Sequence, residues 1–98
     1  MSMELEEIKR KLAELKPIIN EKFKVRTIGL FGSYVKRAEK GESDLDILVE
    51  FAEPISLLKF IELENYLSDS IGVKVDLVMK SALKPRIGKQ ILKEVVNV

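Results

Sequence analysis

A chain of 98 residues can bury one modest hydrophobic core, and we expect a single domain over residues 1–98. Its 17 basic and 16 acidic residues give a net charge of +1, which argues against a polyanion-binding surface or a basic membrane-binding patch. The chain contains neither Cys nor His, which excludes disulfides, Cys/His zinc sites, thiol nucleophiles and His-based triads. Any metal must therefore be bound by oxygen atoms, and any general base must be Asp, Glu, Lys or Tyr.

The hydropathy pattern bears on where the protein works. No apolar run approaches the ~20 residues that span a bilayer, and the charged N-terminal segment lacks the apolar core of a signal peptide. We therefore expect a cytoplasmic protein that makes no membrane contact. The near-neutral charge also makes direct nucleic-acid binding unexpected and favours small ligands or protein partners.

Residues 3–22 are predicted to form an amphipathic helix that covers one face of a sheet. Its apolar residues recur at steps of three and four, with Lys and Glu between them: Leu5, Ile8, Leu12, Leu15 and Ile19. Ser2 is suited to the N-cap position. Pro17 is expected to kink the helix or restart it after Lys16, because proline lacks the backbone N–H that a helix needs.

Two segments, residues 25–31 and 44–51, are predicted to be strands. Both are rich in β-branched and large apolar residues and are bounded by Gly, Ser or acidic residues. Alternation along the second strand places Leu45, Ile47, Val49 and Phe51 on one face. The opposite face carries Asp44, Asp46, Leu48 and Glu50.

Two carboxylates of the second strand therefore point the same way. The Cα atoms of Asp44 and Asp46 lie about 6.6 Å apart at a rise of ~3.3 Å per residue, so their side chains can converge on one hard cation or bracket a pair of cations. Left uncompensated, such neighbouring charges would repel each other. A metal ion is their natural partner.

The Gly32-Ser33 pair after the first strand predicts a phosphate-binding turn. Gly32 allows the backbone to leave the strand in a conformation closed to other residues, and Ser33 can begin a helix whose free N–H groups attract a phosphate. A phosphate site and a metal site at the ends of neighbouring strands together describe a metal–nucleotide site.

Residues 34–43 are predicted to form a short helix that ends near Gly41, followed by a turn. Ten residues are too few for a comfortable crossover between parallel strands, so the first two strands are expected to be antiparallel neighbours. Lys36 and Arg37 lie close in sequence to the phosphate-binding turn. Each is a candidate contact to a triphosphate, and the alternative is an ordinary solvated helix charge.

Residues 55–71 are predicted to form a packing helix with Ser56 as its cap and Gly72 at its end. The expected apolar positions are Leu57, Leu58, Ile61, Leu63, Leu67 and Ile71. The length of this helix suits a parallel crossover from the second strand to the third.

The third predicted strand, residues 73–79, carries a further acid. Asp76 lies on a strand otherwise fit for burial, where a lone carboxylate is costly unless something pairs with it. If the second and third strands are adjacent, Asp76 shares a sheet face with Asp44 and Asp46, which gives three carboxylates around one site. The alternative is an edge position at which Asp76 pairs with Lys74 or Lys80.

Residues 81–95 are predicted to form the last helix, with Pro85 tolerable only in its first turn, and residues 95–98 to add a short edge strand. The elements together predict an α/β (α+β) domain. Its small mixed sheet would have three to four strands, with about four helices.

The combined pattern resembles a known family. Gly32-Ser33, ten intervening residues, Asp44-x-Asp46 and then Asp76 on a later strand resemble the nucleotidyltransferase superfamily that includes DNA polymerase beta. The chain is most similar to the minimal nucleotidyltransferases, small prokaryotic domains typically encoded beside a HEPN-domain protein as a toxin–antitoxin pair. The similarity runs from about Val25 to Val98 and includes Leu-Phe-Gly-Ser-Tyr, Ser-Asp-Leu-Asp-Ile-Leu-Val-Glu-Phe and Val-Asp-Leu-Val.

The resemblance implies a nucleotidyltransferase fold and a set of roles for these residues. Asp44 and Asp46 would hold Mg²⁺ against the phosphates of ATP, and Asp76 would help to bind a second ion and act as base toward the acceptor hydroxyl. Gly32 and Ser33 would hold the β and γ phosphates. The acceptor oxygen would attack the α phosphate in line, and pyrophosphate would leave.

The resemblance also implies the acceptor. The chain has no residues to spare for an acceptor-binding domain, so the acceptor would be a partner HEPN-type toxin that receives AMP on a tyrosine or a similar hydroxyl and is silenced. One alternative is a weakly catalytic or non-catalytic antitoxin that blocks its partner sterically. A second alternative is a nucleotidyltransferase acting on RNA or a small molecule.

An exposed apolar stripe on the first or last helix would serve a partner or a homo-oligomer.

Overall fold

The computed structural model describes residues 5–31 and 45–98 as one mixed α/β unit. Its elements follow in the order α1 (Leu5–Phe23), β1 (Val25–Phe31), β2 (Leu45–Phe51), α2 (Leu57–Ile71), β3 (Val75–Met79), a 3-10 turn (Lys80–Ala82), α3 (Pro85–Glu94) and β4 (Val96–Asn97). The predicted helix over residues 34–43 and the predicted cap Ser2 lie outside the described residues. The predicted α/β class is confirmed.

The four strands form a single sheet in the order β3-β2-β1-β4. β1 pairs with both β2 and β4 in antiparallel fashion, whereas β2 pairs with β3 in parallel. The parallel step is possible because α2 lies between β2 and β3 in sequence and carries the chain back along the sheet. The predicted strand directions and the predicted C-terminal edge strand are confirmed.

Helix α1 runs without interruption through Pro17, so the predicted restart after Lys16 is wrong. Pro17 is exposed, and so is Ala13, whose carbonyl would otherwise accept the missing hydrogen bond and can reach solvent instead. Leu12 and Ile19 are fully buried on either side of the proline. Packing of both halves against the core therefore outweighs the loss of one helical hydrogen bond.

Helix α1 turns into β1 at Lys24, which has a φ of 60°. The Lys24 N–H donates to the carbonyl of Asn20 at 3.1 Å, and the Lys24 carbonyl accepts from the Ala52 N–H at 2.7 Å. The Asn20 amide also donates to the carbonyl of Val25 at 2.8 Å. These bonds hold a non-glycine residue in the left-handed region, where a Cβ atom is unfavourable.

The hydrophobic core lies on the sheet face that α1 and α2 cover. Alternate residues of β2 (Leu45, Ile47 and Val49) are completely buried there, as the strand periodicity predicts. The fourth predicted member, Phe51, is half-buried and packs edge-on against Phe60 of α2 with ring centroids 6.3 Å apart.

Helix α2 has the predicted caps. The Ser56 hydroxyl accepts from the Lys59 N–H at 3.2 Å, and Gly72 ends the helix at a φ of 91°. Each cap satisfies backbone groups that the helix itself leaves unpaired.

Only half of the expected apolar positions of α2 are buried. Leu63, Leu67 and Ile71 face the core at four-residue steps, whereas Leu57 and Leu58 are 73% and 80% exposed. At about 100° per residue, both exposed leucines lie more than about 100° around the helix from Leu63. The exposed Ile61 lies about 160° away by the same geometry, so its predicted burial is also wrong.

The third strand and the last helix are shorter than predicted, since β3 begins at Val75 and α3 at Pro85. Lys84 is extended, with φ −72° and ψ 148°, because the residue before a proline avoids the helical region. Pro85 occupies the first turn of α3, as predicted, where its missing N–H costs nothing. Within residues 5–31 and 45–98, no helix has the length and apolar character needed to cross a bilayer.

Candidate active site

Two of the predicted acidic residues lie side by side in the sheet. Asp46 is the second residue of β2, Asp76 is the second residue of β3, and the two are register partners in the parallel ladder. Their Cα atoms are therefore about 4.8 Å apart and their side chains share one face. Asp46 is half-buried and Asp76 is exposed. We call these two residues the carboxylate pair.

The carboxylate pair lies next to an apolar surface on the face opposite the main core. Phe31 of β1 is the register partner of Asp46 on its other side, and Leu48 follows Asp46 on the same face. Phe31 and Leu48 are only 8% and 6% exposed. A cation bound by the pair would therefore have apolar side chains on one side. Their low dielectric constant strengthens the attraction between the cation and the two carboxylates.

The backbone on either side of Asp76 is tied to helix α2. The Val75 N–H donates to the Ser68 hydroxyl oxygen at 3.0 Å, and the Leu77 N–H donates to a carboxylate oxygen of Glu64 at 2.9 Å. The Ser68 hydroxyl in turn donates to the carbonyl of Glu64 at 2.9 Å.

Glu64 and Ser68 were not among the residues predicted for the site. The available signal was a pair of polar residues four apart, each next in sequence to a buried leucine, on a helix predicted to pack against the sheet.

The other predicted site residues lie outside the described residues. They are Gly32, Ser33, Lys36, Arg37 and Asp44. Across residues 5–31 and 45–98, no group of three acidic side chains is placed to hold a metal ion. The structure thus brings together two of the three predicted carboxylates.

Comparison with known proteins identifies the family. A family model described as "Polymerase beta, Nucleotidyltransferase" matches residues 13–98. The chain belongs to this nucleotidyltransferase family. A relative from Thermococcus cleftensis, named protein adenylyltransferase MntA, is 57% identical over 94 residues, which cover 96% of this chain and 95% of the relative.

Solved structures agree with this assignment. One described as a candidate minimal nucleotidyltransferase has a TM-score of 0.80 at 33% identity, and the match covers 98% of this chain and 97% of that one. A crystal structure of a toxin–antitoxin with AMP-PNP has a TM-score of 0.73 at 26% identity, covering 91% of this chain and 70% of the other. The predicted nucleotidyltransferase fold and the family resemblance are confirmed.

The carboxylate pair of this nucleotidyltransferase fits a hard divalent cation by its donor chemistry. Carboxylate oxygens are the ligands that Mg²⁺ prefers, and the whole sequence contains no His or Cys that would favour a softer metal. Two carboxylates on adjacent strands of one face can reach a common ion, so the residues present are compatible with Mg²⁺.

A cavity of about 540 Å³ in the nucleotidyltransferase lies away from the carboxylate pair. It is lined by residues 49–55 and 79–81, at the far ends of β2 and β3. Val49 and Met79 each lie three residues along their strands from the pair, which corresponds to about 10 Å. The cavity is therefore separate from the two acids.

Proposed function

We propose that this nucleotidyltransferase transfers AMP from MgATP to a hydroxyl group of a partner protein, a HEPN-type toxin, and so acts as its antitoxin. The observation that carries the proposal is the register pairing of Asp46 with Asp76 on adjacent strands of a nucleotidyltransferase domain. The relative that is 57% identical is named a protein adenylyltransferase, and a structural neighbour is a toxin–antitoxin with the ATP analogue AMP-PNP.

The proposed site combines the carboxylate pair with Asp44. These three aspartates would hold two Mg²⁺ ions. When bound, Mg²⁺ neutralises charge on the α phosphate and on the departing pyrophosphate. The remaining contacts to ATP would come from the Gly32 N–H, the Ser33 hydroxyl and the positive charges of Lys36 and Arg37, which would hold the triphosphate.

Asp76 is proposed as the general base. Its exposed position on an edge strand leaves it accessible to a hydroxyl group that a second protein presents. Asp76 would take the proton of that hydroxyl while the oxygen forms a bond to the α phosphorus of ATP. The bond from phosphorus to the pyrophosphate oxygen breaks, so the products are an AMP ester, most simply on tyrosine, and pyrophosphate.

We propose a single domain over residues 1–98 and an acceptor surface that the partner protein supplies. We place the reaction in the cytoplasm, where ATP is available, and expect no direct contact with nucleic acid or membrane.

The test is the intact mass of the HEPN-type partner after co-expression with this chain. Wild type should add one or more AMP units, and Asp46→Asn/Asp76→Asn should add none. Glu50→Gln is the matched control, because Glu50 is a carboxylate on the same face of β2, four residues from Asp46. Its carboxylate accepts a hydrogen bond from the Thr27 hydroxyl at 3.3 Å. This variant should support transfer as the wild type does.

Two results would contradict the proposal. An unmodified partner that co-purifies with both wild type and the double variant would indicate a sterically acting antitoxin. Labelled nucleotide that appears on RNA or on a small molecule in the absence of any partner protein would indicate the other transferase class.

A further inference from the structure

The two members of the carboxylate pair are supported by the sheet to different extents. Asp46 lies on β2, which has a strand on each side, whereas Asp76 lies on β3 at the edge of the sheet. Within residues 5–31 and 45–98, Asp76 therefore has ladder hydrogen bonds only on the side of β2. The other side of an edge strand presents N–H and C=O groups that the sheet leaves unpaired.

Helix α2 supplies the missing partners on that side. The carbonyl of Lys74 faces β2, where it accepts from the Leu45 N–H at 2.8 Å, so the N–H groups of Val75 and Leu77 point away from β2. Those two N–H groups donate to Ser68 and Glu64 respectively. The backbone is thus held immediately before and immediately after Asp76.

The residues that hold this backbone are themselves held in place. Glu64 and Ser68 are one helical turn apart and are joined by the bond from the Ser68 hydroxyl to the Glu64 carbonyl. Both are half-buried, and Leu63 and Leu67 beside them are fully buried in the core. Because α2 is fixed by the core, its two hydrogen bonds also fix the position of the edge strand β3.

We propose that Glu64 and Ser68 are positioning residues of the transfer site, which keep Asp76 level with Asp46 by anchoring the edge strand to α2. The inference rests on the proposed function, because it takes the carboxylate pair as the metal-binding group. Neither residue touches substrate; each acts through the backbone that carries Asp76.

Loss of such a support should weaken metal binding more than it weakens the fold. Removing a residue that orients a metal ligand typically lowers metal affinity roughly 10- to 100-fold. We expect Glu64→Ala to raise the dissociation constant of the metal within that range and Ser68→Ala to raise it by a smaller factor. Glu64→Gln keeps a carbonyl oxygen that can accept from the Leu77 N–H, so it should restore most of the affinity.

The probe is Mn²⁺ alone, titrated into the full-length protein and followed by paramagnetic broadening of the Asp76 and Leu77 amide NMR signals. Ser56→Ala is the matched control, since it removes a serine hydroxyl at the N-cap of α2 whose hydrogen bond goes to the Lys59 N–H of the helix itself. The thermal unfolding temperature of every variant shows whether weaker Mn²⁺ binding comes from loss of the fold or from displacement of Asp76. Amide hydrogen exchange at Leu77 should quicken in Glu64→Ala and stay slow in Glu64→Gln.

The proposal is supported if Glu64→Ala weakens Mn²⁺ binding, Glu64→Gln restores it and Ser56→Ala leaves it unchanged at a similar unfolding temperature. It is overturned if Glu64→Ala binds Mn²⁺ as the wild type does, or if Ser56→Ala weakens binding equally. Asp46→Asn/Asp76→Asn is measured in parallel: unchanged Mn²⁺ affinity there would refute the metal site of the proposed function itself.

Discussion

Replacing Lys24 by glycine should stabilise the protein, because this residue joins α1 to β1 with a φ of 60°. A Cβ atom in the left-handed region costs about 1–2 kcal/mol of folded-state strain. Glycine removes this strain but lowers the stability by about 0.5–1 kcal/mol, because it has more conformational entropy in the unfolded state. The backbone bonds from Lys24 to Asn20 and from Ala52 to Lys24 need no side chain and are retained. The net gain should be about 0.5–1 kcal/mol, which raises the Tm of a domain of this size by about 2–8 °C.

Lys24→Ala separates strain from charge in this experiment. It removes the ammonium group at the end of α1 but keeps the Cβ atom, so it should leave the Tm close to that of the wild type. Lys24→Val adds β-branching at the same φ and should lower the Tm. Thermal unfolding followed by circular dichroism measures all three variants. The strain argument fails if glycine does no better than alanine.

Three further outcomes are expected. Asp76→Asn should slow AMP transfer to the partner on the order of 10²–10⁴-fold, because it removes the proposed base. Glu50→Gln should match the wild type in transfer of label from ATP to the partner, and an equal loss of transfer in both variants would contradict a special role of the carboxylate pair. Leu67→Ala should cost about 2–5 kcal/mol in chemical denaturation, while Leu58→Ala, at a residue 80% exposed, should fall within about 0.5 kcal/mol of the wild type. Gly29→Ala should destabilise by about 1–3 kcal/mol, since its Cβ would lie 2.6 Å from a side-chain carbon of the C-terminal segment; an unchanged unfolding midpoint would show that this segment moves freely aside.

Local patterns were enough to predict several elements. The strand over residues 25–31 has the bounds of β1, because β-branched residues between charged and glycine-containing segments define a strand without reference to distant parts of the chain. The caps of α2 are equally local: Ser56 accepts a hydrogen bond three residues on, and Gly72 adopts a φ of 91°. The spacing of the acids from the Gly32-Ser33 pair in the sequence likewise sufficed for the family resemblance, which the comparisons confirm.

Other features were misjudged because they depend on what packs where. Proline is a helix breaker in isolation, yet α1 continues through Pro17 since the residues on both sides of it are held by the core. Apolar character alone could not show that Leu57 and Leu58 are exposed to solvent. Which apolar side chains of a helix are buried depends on which face of the helix packs against the core.

What the sequence determined by itself, therefore, is the α/β class, the order of the helices and strands within residues 5–31 and 45–98, and the burial of alternate residues along β2. Those properties follow from short-range periodicity and capping. Only the tertiary structure decided that β3 is an edge strand, that Asp76 is the register partner of Asp46, and that Glu64 and Ser68 anchor the backbone beside it. These relations join residues distant in sequence, and strand pairing and helix docking arise only when the whole chain folds.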